Sequence, residues 1–189
     1  GQILAAIILI LFNIRVEFIT NPFTGGMIYL GYWGIPLTIL WIIAITNTVN
    51  LVDGLDGLAA GISAIAAFTL FLVALQEGQY TAAILSLMLA GSALGFLPYN
   101  FNPARIFMGD TGAMFCGYTL AAISVAGALK SAATVTLVVP ILALGVPIFD
   151  TIFAIARRIY NRKPIGEADN GHIHHRLLAL GYNQRQAVL

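Results

Sequence analysis

The stretch N-T-V-N-L-V-D-G-L-D-G-L-A-A-G, residues 47–61, decides the fold because it places acidic and amide side chains between two long apolar segments. Intervals of three residues separate Asn47, Asn50, Asp53 and Asp56. On a 3₁₀ turn this spacing stacks side chains along one edge, and on an α-helix each step drifts by about 60°, so that neighbours still share a face. We therefore expect these four side chains to converge.

Convergent carboxylate and amide oxygens suit a hard divalent cation such as Mg²⁺, which would carry phosphate with it. The stretch contains no basic residue, and Gly54 and Gly57 allow the backbone to approach a ligand closely. The alternative is a polar loop between helices, with one aspartate as a helix cap. A cap explains one of the two aspartates and neither asparagine, so the pattern favours a cation and phosphate site.

The composition indicates an integral membrane protein. The chain of 189 residues is 59% hydrophobic and only 9% charged, whereas a soluble domain is nearer a quarter charged. We predict an all-α fold, a polytopic transmembrane helix bundle of about six spans with a cytoplasmic basic tail. Residues 1–158 would form the bundle, with active-site loops at about 47–57 and 98–112, and residues 159–189 would form the tail.

The basic residues are distributed unequally between the two sides of such a bundle. By span counting, Arg15 and Lys130 lie on one side, and the other seven of the nine lie on the opposite side: Arg105, Arg157, Arg158, Arg162, Lys163, Arg176 and Arg185. The positive-inside rule makes the second side cytoplasmic. We therefore expect a multi-pass protein of the inner (plasma) membrane whose site faces the cytoplasm.

The loop at 98–112 adds polar residues to the same side. Asp110 lies in G-D-T-G directly before an apolar segment, where it is either a helix N-cap or a ligand. The two interpretations are compatible, since a helix N-terminus also binds phosphate. Asn102 and Arg105 are nearby. Asp150 lies inside the predicted sixth span, either as a functional carboxylate or as a structural partner for a basic or backbone group.

The tail carries a cluster of histidines beside an arginine: His172, His174, His175 and Arg176. One interpretation is phosphate or sugar binding, with the arginine as a fixed charge. A zinc site is a second interpretation, although H-x-H-H lacks the helical H-E-x-x-H spacing. A solvated basic tail is the third.

In this order, N-L-V-D-G-L-D-G-L-A-A-G, N-P-A-R-I-F-M-G-D-T-G, P-I-F-D-T and D-N-G-H-I-H-H-R-L resemble the polyprenyl-phosphate N-acetylhexosamine-1-phosphate transferases. The form H-I-H-H-R-L is similar to the bacterial UDP-GlcNAc:undecaprenyl-phosphate GlcNAc-1-phosphate transferases. The phospho-MurNAc-pentapeptide transferases, the alternative branch, typically show three adjacent histidines. The family also carries an adjacent aspartate pair upstream, which this chain lacks, so we expect the chain to be the C-terminal part of such an enzyme.

The resemblance implies transfer of a sugar-1-phosphate from a UDP-sugar to undecaprenyl or another polyprenyl phosphate, with release of UMP. It implies Mg²⁺ as cofactor, with Mn²⁺ as a substitute, and as partners a UDP-sugar, the lipid phosphate and the membrane. A homodimer is an open option, and no nucleic acid is expected.

The resemblance also assigns roles to residues of this sequence. Asp53 and Asp56 would be catalytic, and Asp110 with Asp53 would bind the metal. Substrate-binding residues would be Asn47, Asn50, Asn102, Arg105, His172, His174, His175 and Arg176. Two rival functions are a transporter or channel with intramembrane carboxylates and a membrane zinc hydrolase.

Overall fold

The structure, a computed structural model, describes residues 1–20 and 26–128, together with the isolated positions Gly145 and Phe149. In chain order the elements are helix α1 (Gln2–Leu11), strands β1 (Phe18–Thr20) and β2 (Met27–Tyr29), a 3₁₀ turn (Gly31–Trp33), and helices α2 (Gly34–Val52), α3 (Leu58–Gln76), α4 (Tyr80–Asn100) and α5 (Gly109–Ala128).

Three segments within the described range are long and apolar enough to cross a membrane: Gly31–Val52, Leu58–Gln76 and Tyr80–Asn100. Helix α5, with 20 residues, contains the apolar segment that follows Asp110. Helix α1, with 10 residues, is shorter than the ~20 residues that a span requires. The total of about six spans and the basic tail stay predictions, because they depend on residues outside the described range.

The fold is mostly helical, but the expectation of an all-α chain needs one correction. Strands β1 and β2 pair as an antiparallel hairpin in which Phe18 faces Tyr29 and Ile19 faces Ile28. Aromatic and β-branched residues favour strands, and two pairs of turn-forming residues, Asn21-Pro22 and Gly25-Gly26, separate the two strands in the sequence. The hairpin is at the opposite end of the bundle from the 47–61 stretch.

The loop predicted at 47–57 is shorter in the structure. Helix α2 continues to Val52, so Asn47 and Asn50 are helical and only residues 53–57 connect α2 to α3. Helix propagation costs little here, because each added residue gains one backbone hydrogen bond. The acidic residues are therefore displayed from a rigid helix end.

The loop predicted at 98–112 is shorter as well. Helix α4 passes through Pro98 and ends at Asn100, and α5 begins at Gly109, which leaves residues 101–108 as the connection. Proline near the end of a helix removes a single backbone donor. The ladder resumes after it, because the Phe101 N–H donates a hydrogen bond of 2.7 Å to the Leu97 carbonyl.

Helix α5 lies against the C-terminal half of α2. A Cβ added to Gly117 would lie 2.8 Å from Thr46 Cα and 3.1 Å from the Ile45 carbonyl oxygen, so only glycine permits this approach. Further along the same pair, Trp41 Nε1 donates a hydrogen bond of 3.0 Å to Ser124 Oγ. Small residues allow membrane helices to pack closely, and this contact brings the end of α2 beside the start of α5.

Helices α3 and α4 form the other close pair of the bundle. The face of α3 that packs inward is rich in buried alanine, including Ala60, Ala66 and Ala67. The larger side chains of the core fill the space between the pairs, and the fully buried ones include Ile42, Ile45, Leu70 and Leu120. The result is an antiparallel bundle whose two connections at one end carry the polar motifs.

Candidate active site

Four helix ends meet at one end of the bundle. They are the C-termini of α2 and α4 and the N-termini of α3 and α5, joined by residues 53–57 and 101–108. Both motifs singled out in the sequence, around Asp53 and around Asp110, therefore lie at the same end. This arrangement is the one expected for alternating helices of a bundle.

Asn50, Asp53 and Asp110 form a group that we call the acidic cluster. Asn50 lies in the last turn of α2 and donates a side-chain hydrogen bond of 3.2 Å to Asp110 Oδ1. Asp53 is the C-cap residue of α2, and its own N–H donates to the Asn50 carbonyl at 3.2 Å. Asp110 occupies the first turn of α5 and is exposed, where a carboxylate is favoured by the helix dipole.

Two carboxyl groups in this cluster repel one another. Burial raises the pKa of the Asp53 carboxyl above its usual value, and the nearby Asp110 charge raises the pKa further. A hydrogen bond with the Gly109 backbone acts in the opposite direction. Asp53 also lies at the negative end of the α2 dipole, which offers its anion no stabilisation. Without a bound cation, simultaneous ionisation of Asp53 and Asp110 is therefore unfavourable.

Asp56 faces the second loop. Its Oδ2 atom accepts hydrogen bonds from Asn102 Nδ2 at 3.0 Å and from the Ala104 N–H at 3.1 Å. We call this arrangement the loop clamp, because it fixes the 53–57 loop to the 101–108 loop. Two donors on one carboxylate oxygen hold both loops in one geometry.

Asn100 is a site residue that our sequence assignment left out. It is 3% exposed, its Oδ1 accepts from the Gly57 N–H at 3.0 Å, and its Nδ2 donates to the Ile106 carbonyl at 3.0 Å. Gly57 has a left-handed φ of +84°, and a Cβ there would lie 2.9 Å from Phe101 Cδ2. Asn100 thereby joins both loops beneath the loop clamp. The sequence offered one signal, an asparagine at the end of an apolar span.

Asn47 is directed away from the acidic cluster. Its side chain forms a reciprocal amide pair with Gln2 of α1, with both hydrogen bonds at 3.0 Å, and also donates to the Ile43 carbonyl at 2.9 Å. The amide is therefore occupied in holding α1 against α2. Asn102 is part of the loop clamp, and Arg105 is exposed on the same loop.

The acidic cluster has the donor set of a magnesium site. It offers two carboxylates and one amide oxygen, and Mg²⁺ in proteins is commonly held by one or two carboxylates, its other positions being left to water and substrate phosphate. The charge repulsion at Asp53 is the kind that a divalent cation relieves. Within residues 1–20 and 26–128 no group of three histidine, cysteine or acidic side chains has the arrangement of a metal site, so further ligands would come from the substrate or from outside this range.

Several of the predicted site residues lie outside the described residues. They are Asp150, His172, His174, His175 and Arg176. Their assignments stay predictions, as does the basic tail of residues 159–189.

The fold and the site together define a polytopic membrane protein that carries an acidic site at the ends of its helices. The chain belongs to glycosyl transferase family 4, whose family model matches residues 1–128. The match thus lies in the N-terminal part of this chain and does not support the expectation that the chain is the C-terminal part of such an enzyme.

Curated relatives include proteins that act on lipid phosphates. The chain is 50% identical over 188 residues to a probable undecaprenyl-phosphate N-acetylglucosaminyl 1-phosphate transferase of Bacillus subtilis (strain 168), which covers 100% of this chain and 52% of the relative. It is 44% identical over 121 residues to the decaprenyl-phosphate N-acetylglucosaminephosphotransferase of Mycobacterium leprae (strain TN), covering 58% of this chain and 30% of the relative.

The muramoyl branch is more distant. The chain is 32% identical over 128 residues to a phospho-N-acetylmuramoyl-pentapeptide-transferase of Listeria monocytogenes, covering 66% of this chain and 40% of the relative. In all three comparisons the chain spans about half or less of the relative's length.

Proposed function

We propose that the chain supplies the acidic site of an enzyme that transfers GlcNAc-1-phosphate from UDP-GlcNAc to undecaprenyl phosphate or another polyprenyl phosphate. The observation that carries this proposal is the convergence of Asp53 and Asp110 from two helices of a membrane bundle. The name of the Bacillus subtilis relative, which is 50% identical, supports GlcNAc as the sugar.

The proposed reaction joins two anionic substrates. An oxygen of the lipid phosphate forms a bond to the β-phosphorus of UDP-GlcNAc, and the bond from that phosphorus to the oxygen of the α-phosphate breaks. The bond electrons leave with UMP, and the product is a lipid diphosphate that carries the sugar. A site at the end of membrane helices suits this chemistry, because the lipid tail stays in the bilayer while the nucleotide arrives from water.

Asp53 and Asp110 would hold a magnesium ion, with Mn²⁺ as a substitute. When bound, the cation would offset the negative charge of the phosphates and stabilise the charge that shifts during phosphoryl transfer. Asn50 would keep the Asp110 carboxylate in place through their hydrogen bond. The Asp110 charge contributes, after burial, to the raised pKa of Asp53, and a bound cation would relieve this repulsion.

Asp56 suits a positioning role better than a proton-accepting role. Its Oδ2 atom already accepts two hydrogen bonds from the second loop, so this oxygen is engaged in holding the two loops together. Proton removal from the lipid phosphate would then be left to Asp53 or to solvent. Arg105 is exposed on the loop that Asp56 holds, so the loop clamp would direct its guanidinium toward a phosphate.

The proposed location is the inner (plasma) membrane, with the acidic cluster on the cytoplasmic side. The inference rests on the positive-inside rule and on the supply of nucleotide sugars in the cytoplasm that the reaction needs. The end that carries the cluster also carries Arg105, whereas Arg15 lies near the other end, where it forms an ion pair with Glu17.

The test measures transfer of labelled GlcNAc from UDP-GlcNAc to undecaprenyl phosphate by the complete protein, together with UMP release. Wild-type protein should form labelled lipid in the presence of Mg²⁺ and lose this activity in EDTA. Asp53→Asn should reduce turnover at least about a hundredfold. Glu17→Gln is the matched control, an acid-to-amide change in the Arg15 ion pair away from the cluster, and should leave turnover unchanged.

UDP-MurNAc-pentapeptide in place of UDP-GlcNAc separates the two branches of the family. If the protein transfers from UDP-MurNAc-pentapeptide and not from UDP-GlcNAc, our proposal is wrong and the protein belongs to the muramoyl branch. Ion flux through the protein in liposomes without turnover of either donor would favour the transporter, and stoichiometric zinc in metal analysis of the purified protein would favour the hydrolase.

A further inference from the structure

A cavity of about 570 Å³ lies at the end of the bundle opposite to the acidic cluster. The turn between α3 and α4 forms one wall, and Ile123 and Ala126 near the end of α5 form another. Its size is within the range of about 300–1,000 Å³ that small-molecule sites occupy. The proposed reaction uses no residue of this region.

The turn closes α3 and starts α4 within three residues, Glu77, Gly78 and Gln79. The Gly78 N–H donates to the Leu75 carbonyl at 3.1 Å, and the Gln79 N–H donates to the Ala74 carbonyl at 2.8 Å. These hydrogen bonds satisfy the last carbonyls of α3. The backbone of the turn is therefore held in place by its own hydrogen bonds, so the position of the Gln79 side chain is well defined.

Gln79 lines the cavity, is only 6% exposed, and has an unpartnered amide. Neither Nε2 nor Oε1 forms a hydrogen bond with any residue that the structure describes, although both atoms are buried. A buried polar group without a partner costs about 1–3 kcal/mol, so native structures rarely leave one in this state. Gln79 is also the N-cap residue of α4, and its side chain forms no capping hydrogen bond.

Backbone donors of the same cavity are available as well. The first hydrogen bond of α4 runs from the Ala83 N–H to the Gln79 carbonyl at 2.9 Å, so the N–H groups of the first turn, at Tyr80, Thr81 and Ala82, precede the helical ladder. A helix N-terminus with free N–H groups attracts anions, phosphate above all. The amide of Gln79 is buried beside the same turn, and a rotation of its side chain would bring Nε2 to a ligand in the cavity as a further donor.

Two further features specify what the anion would be attached to. Gln79 lies between the candidate spans Leu58–Gln76 and Tyr80–Asn100, so the cavity is at the membrane boundary, and its wall includes the apolar Leu85 and Ile123. Glu77, whose carboxylate would repel a simple anion, also lines it. An apolar wall with one acid beside anion donors matches a phosphodiester that carries both an alkyl chain and an ammonium group.

We propose that this cavity binds the head group of a zwitterionic phospholipid, with the phosphate on the α4 N-terminus and Gln79 and the ammonium group on Glu77. The acyl chains would leave along Leu85 and Ile123 into the bilayer. The site would hold one lipid at the end of the bundle opposite to the acidic cluster. Free phosphate shares the first half of this chemistry and is distinguished by the test.

The experiment is native mass spectrometry of the complete protein released from nanodiscs that contain phosphatidylethanolamine and phosphatidylglycerol in equal amounts. Wild-type protein should retain one phosphatidylethanolamine. Gln79→Leu should lower its affinity at least about tenfold, the scale for losing a hydrogen bond to a charged group. Gln76→Leu is the matched control, since Gln76 is an exposed glutamine three residues away, and its lipid retention should equal that of wild type.

Two more variants separate the parts of the proposal. Gln79→Glu has nearly the same shape and should lose the lipid because its carboxylate repels the phosphate; it keeps the test informative if Gln79→Leu folds poorly. Glu77→Gln should reduce the preference for phosphatidylethanolamine over phosphatidylglycerol at least about threefold. An unchanged preference would remove Glu77 from the site.

Equal retention of lipid by wild type and both Gln79 variants would overturn the proposal. Displacement of the lipid by millimolar inorganic phosphate, which lacks the alkyl chain and the ammonium group, would assign the cavity to free phosphate instead. Retention of phosphatidylglycerol in preference to phosphatidylethanolamine by wild type would contradict the role of Glu77.

Discussion

The Asn50 side chain donates a hydrogen bond of 3.2 Å to Asp110 Oδ1 and so joins the last turn of α2 to the first turn of α5, 60 residues further along the chain. The donor lies on the same helix end as Asp53, and the negative charges of Asp53 and Asp110 repel each other. A neutral amide that donates to one carboxylate lets both remain close without adding charge. Asn50 is therefore expected to preserve the geometry in which a cation can be shared.

Replacing Asn50 tests that role. Asn50→Leu should raise the Mg²⁺ concentration for half-maximal transfer about tenfold or more, because Asp110 loses its orienting donor, whereas the KM for UDP-GlcNAc should change less. Titration of transfer activity with Mg²⁺ measures the first quantity. A rise in the KM for UDP-GlcNAc at unchanged Mg²⁺ dependence would instead identify Asn50 as a substrate ligand.

Asp53→Asn should stabilise the metal-free protein although it reduces transfer at least about a hundredfold. The folded-state pKa of Asp53 is raised, so its contribution to stability is fully present below the unfolded pKa, about 3.9, and is lost as the pH rises through the folded value. In EDTA the melting temperature of wild type should fall relative to that of Asp53→Asn across this pH range. Saturating Mg²⁺ should reverse the order, because only wild type binds the cation tightly. Parallel pH curves in EDTA would contradict the repulsion between Asp53 and Asp110.

Gly117→Ala should separate α2 from α5. The new Cβ would meet Thr46 Cα at 2.8 Å, so the helices must shift, and a displacement of about 1 Å at a catalytic group can cost a hundredfold in rate. Transfer should fall at least about tenfold, and stability should fall by about 1–3 kcal/mol. Gly95→Ala is the matched control, since a Cβ at this helical position has no atom within 4 Å. Equal activities of the two variants would show that the α2 and α5 contact does not set the site.

The spacing of residues in the sequence predicted part of the site but did not separate the acidic cluster from the loop clamp. The three-residue interval correctly kept Asn50 near Asp53, one turn of helix away. The same interval failed for Asn47, because it pairs with Gln2, and that pairing is a tertiary contact that the spacing does not contain. The interval also failed to place Asp56 in the acidic cluster, because helix α2 ends at Val52 and Asp56 accepts hydrogen bonds from residues 102 and 104.

Long-range partners explain the other differences between sequence and structure. The sequence identified the three candidate spans of the described residues, because the length and composition of an apolar segment are local properties. It could not assign Asn100, whose partner Gly57 lies 43 residues earlier in the chain, nor could it assign Gln79, which is an ordinary turn residue until the structure shows its amide buried without a partner. Buried polar groups are specified by the bundle as a whole.

Asn100→Leu should destabilise the loops that hold the site. It leaves the Gly57 N–H and the Ile106 carbonyl without the partners they have now, at about 1–3 kcal/mol for each buried group. Asn100→Asp keeps an acceptor for Gly57 but loses the donor to the Ile106 carbonyl and buries a carboxylate, so it should destabilise the protein as well. Ser92 is an exposed residue of the same helix whose hydroxyl donates to the Met88 carbonyl, and Ser92→Ala should stay within about 0.5 kcal/mol of wild type. Thermal unfolding in detergent measures all three, and an Asn100→Leu variant as stable as Ser92→Ala would contradict the bridging role.

Cysteine labelling should place the two ends of α4 on opposite sides of the membrane. Phe107, which is 74% exposed, follows α4 on the loop next to the acidic cluster, and Glu77 precedes α4 at the other end and is exposed. Because α4 is a 21-residue candidate span, a membrane-impermeant maleimide added to intact cells should label Glu77→Cys but not Phe107→Cys. The single native cysteine, Cys116, is buried and is replaced by alanine in both variants to remove background. Inverted membrane vesicles should reverse the pattern.

Two outcomes would contradict this topology. Labelling of Phe107→Cys from outside would show that the acidic cluster does not face the cytoplasm, where its nucleotide substrate is supplied. Labelling of both positions from one side would show that α4 does not span the membrane.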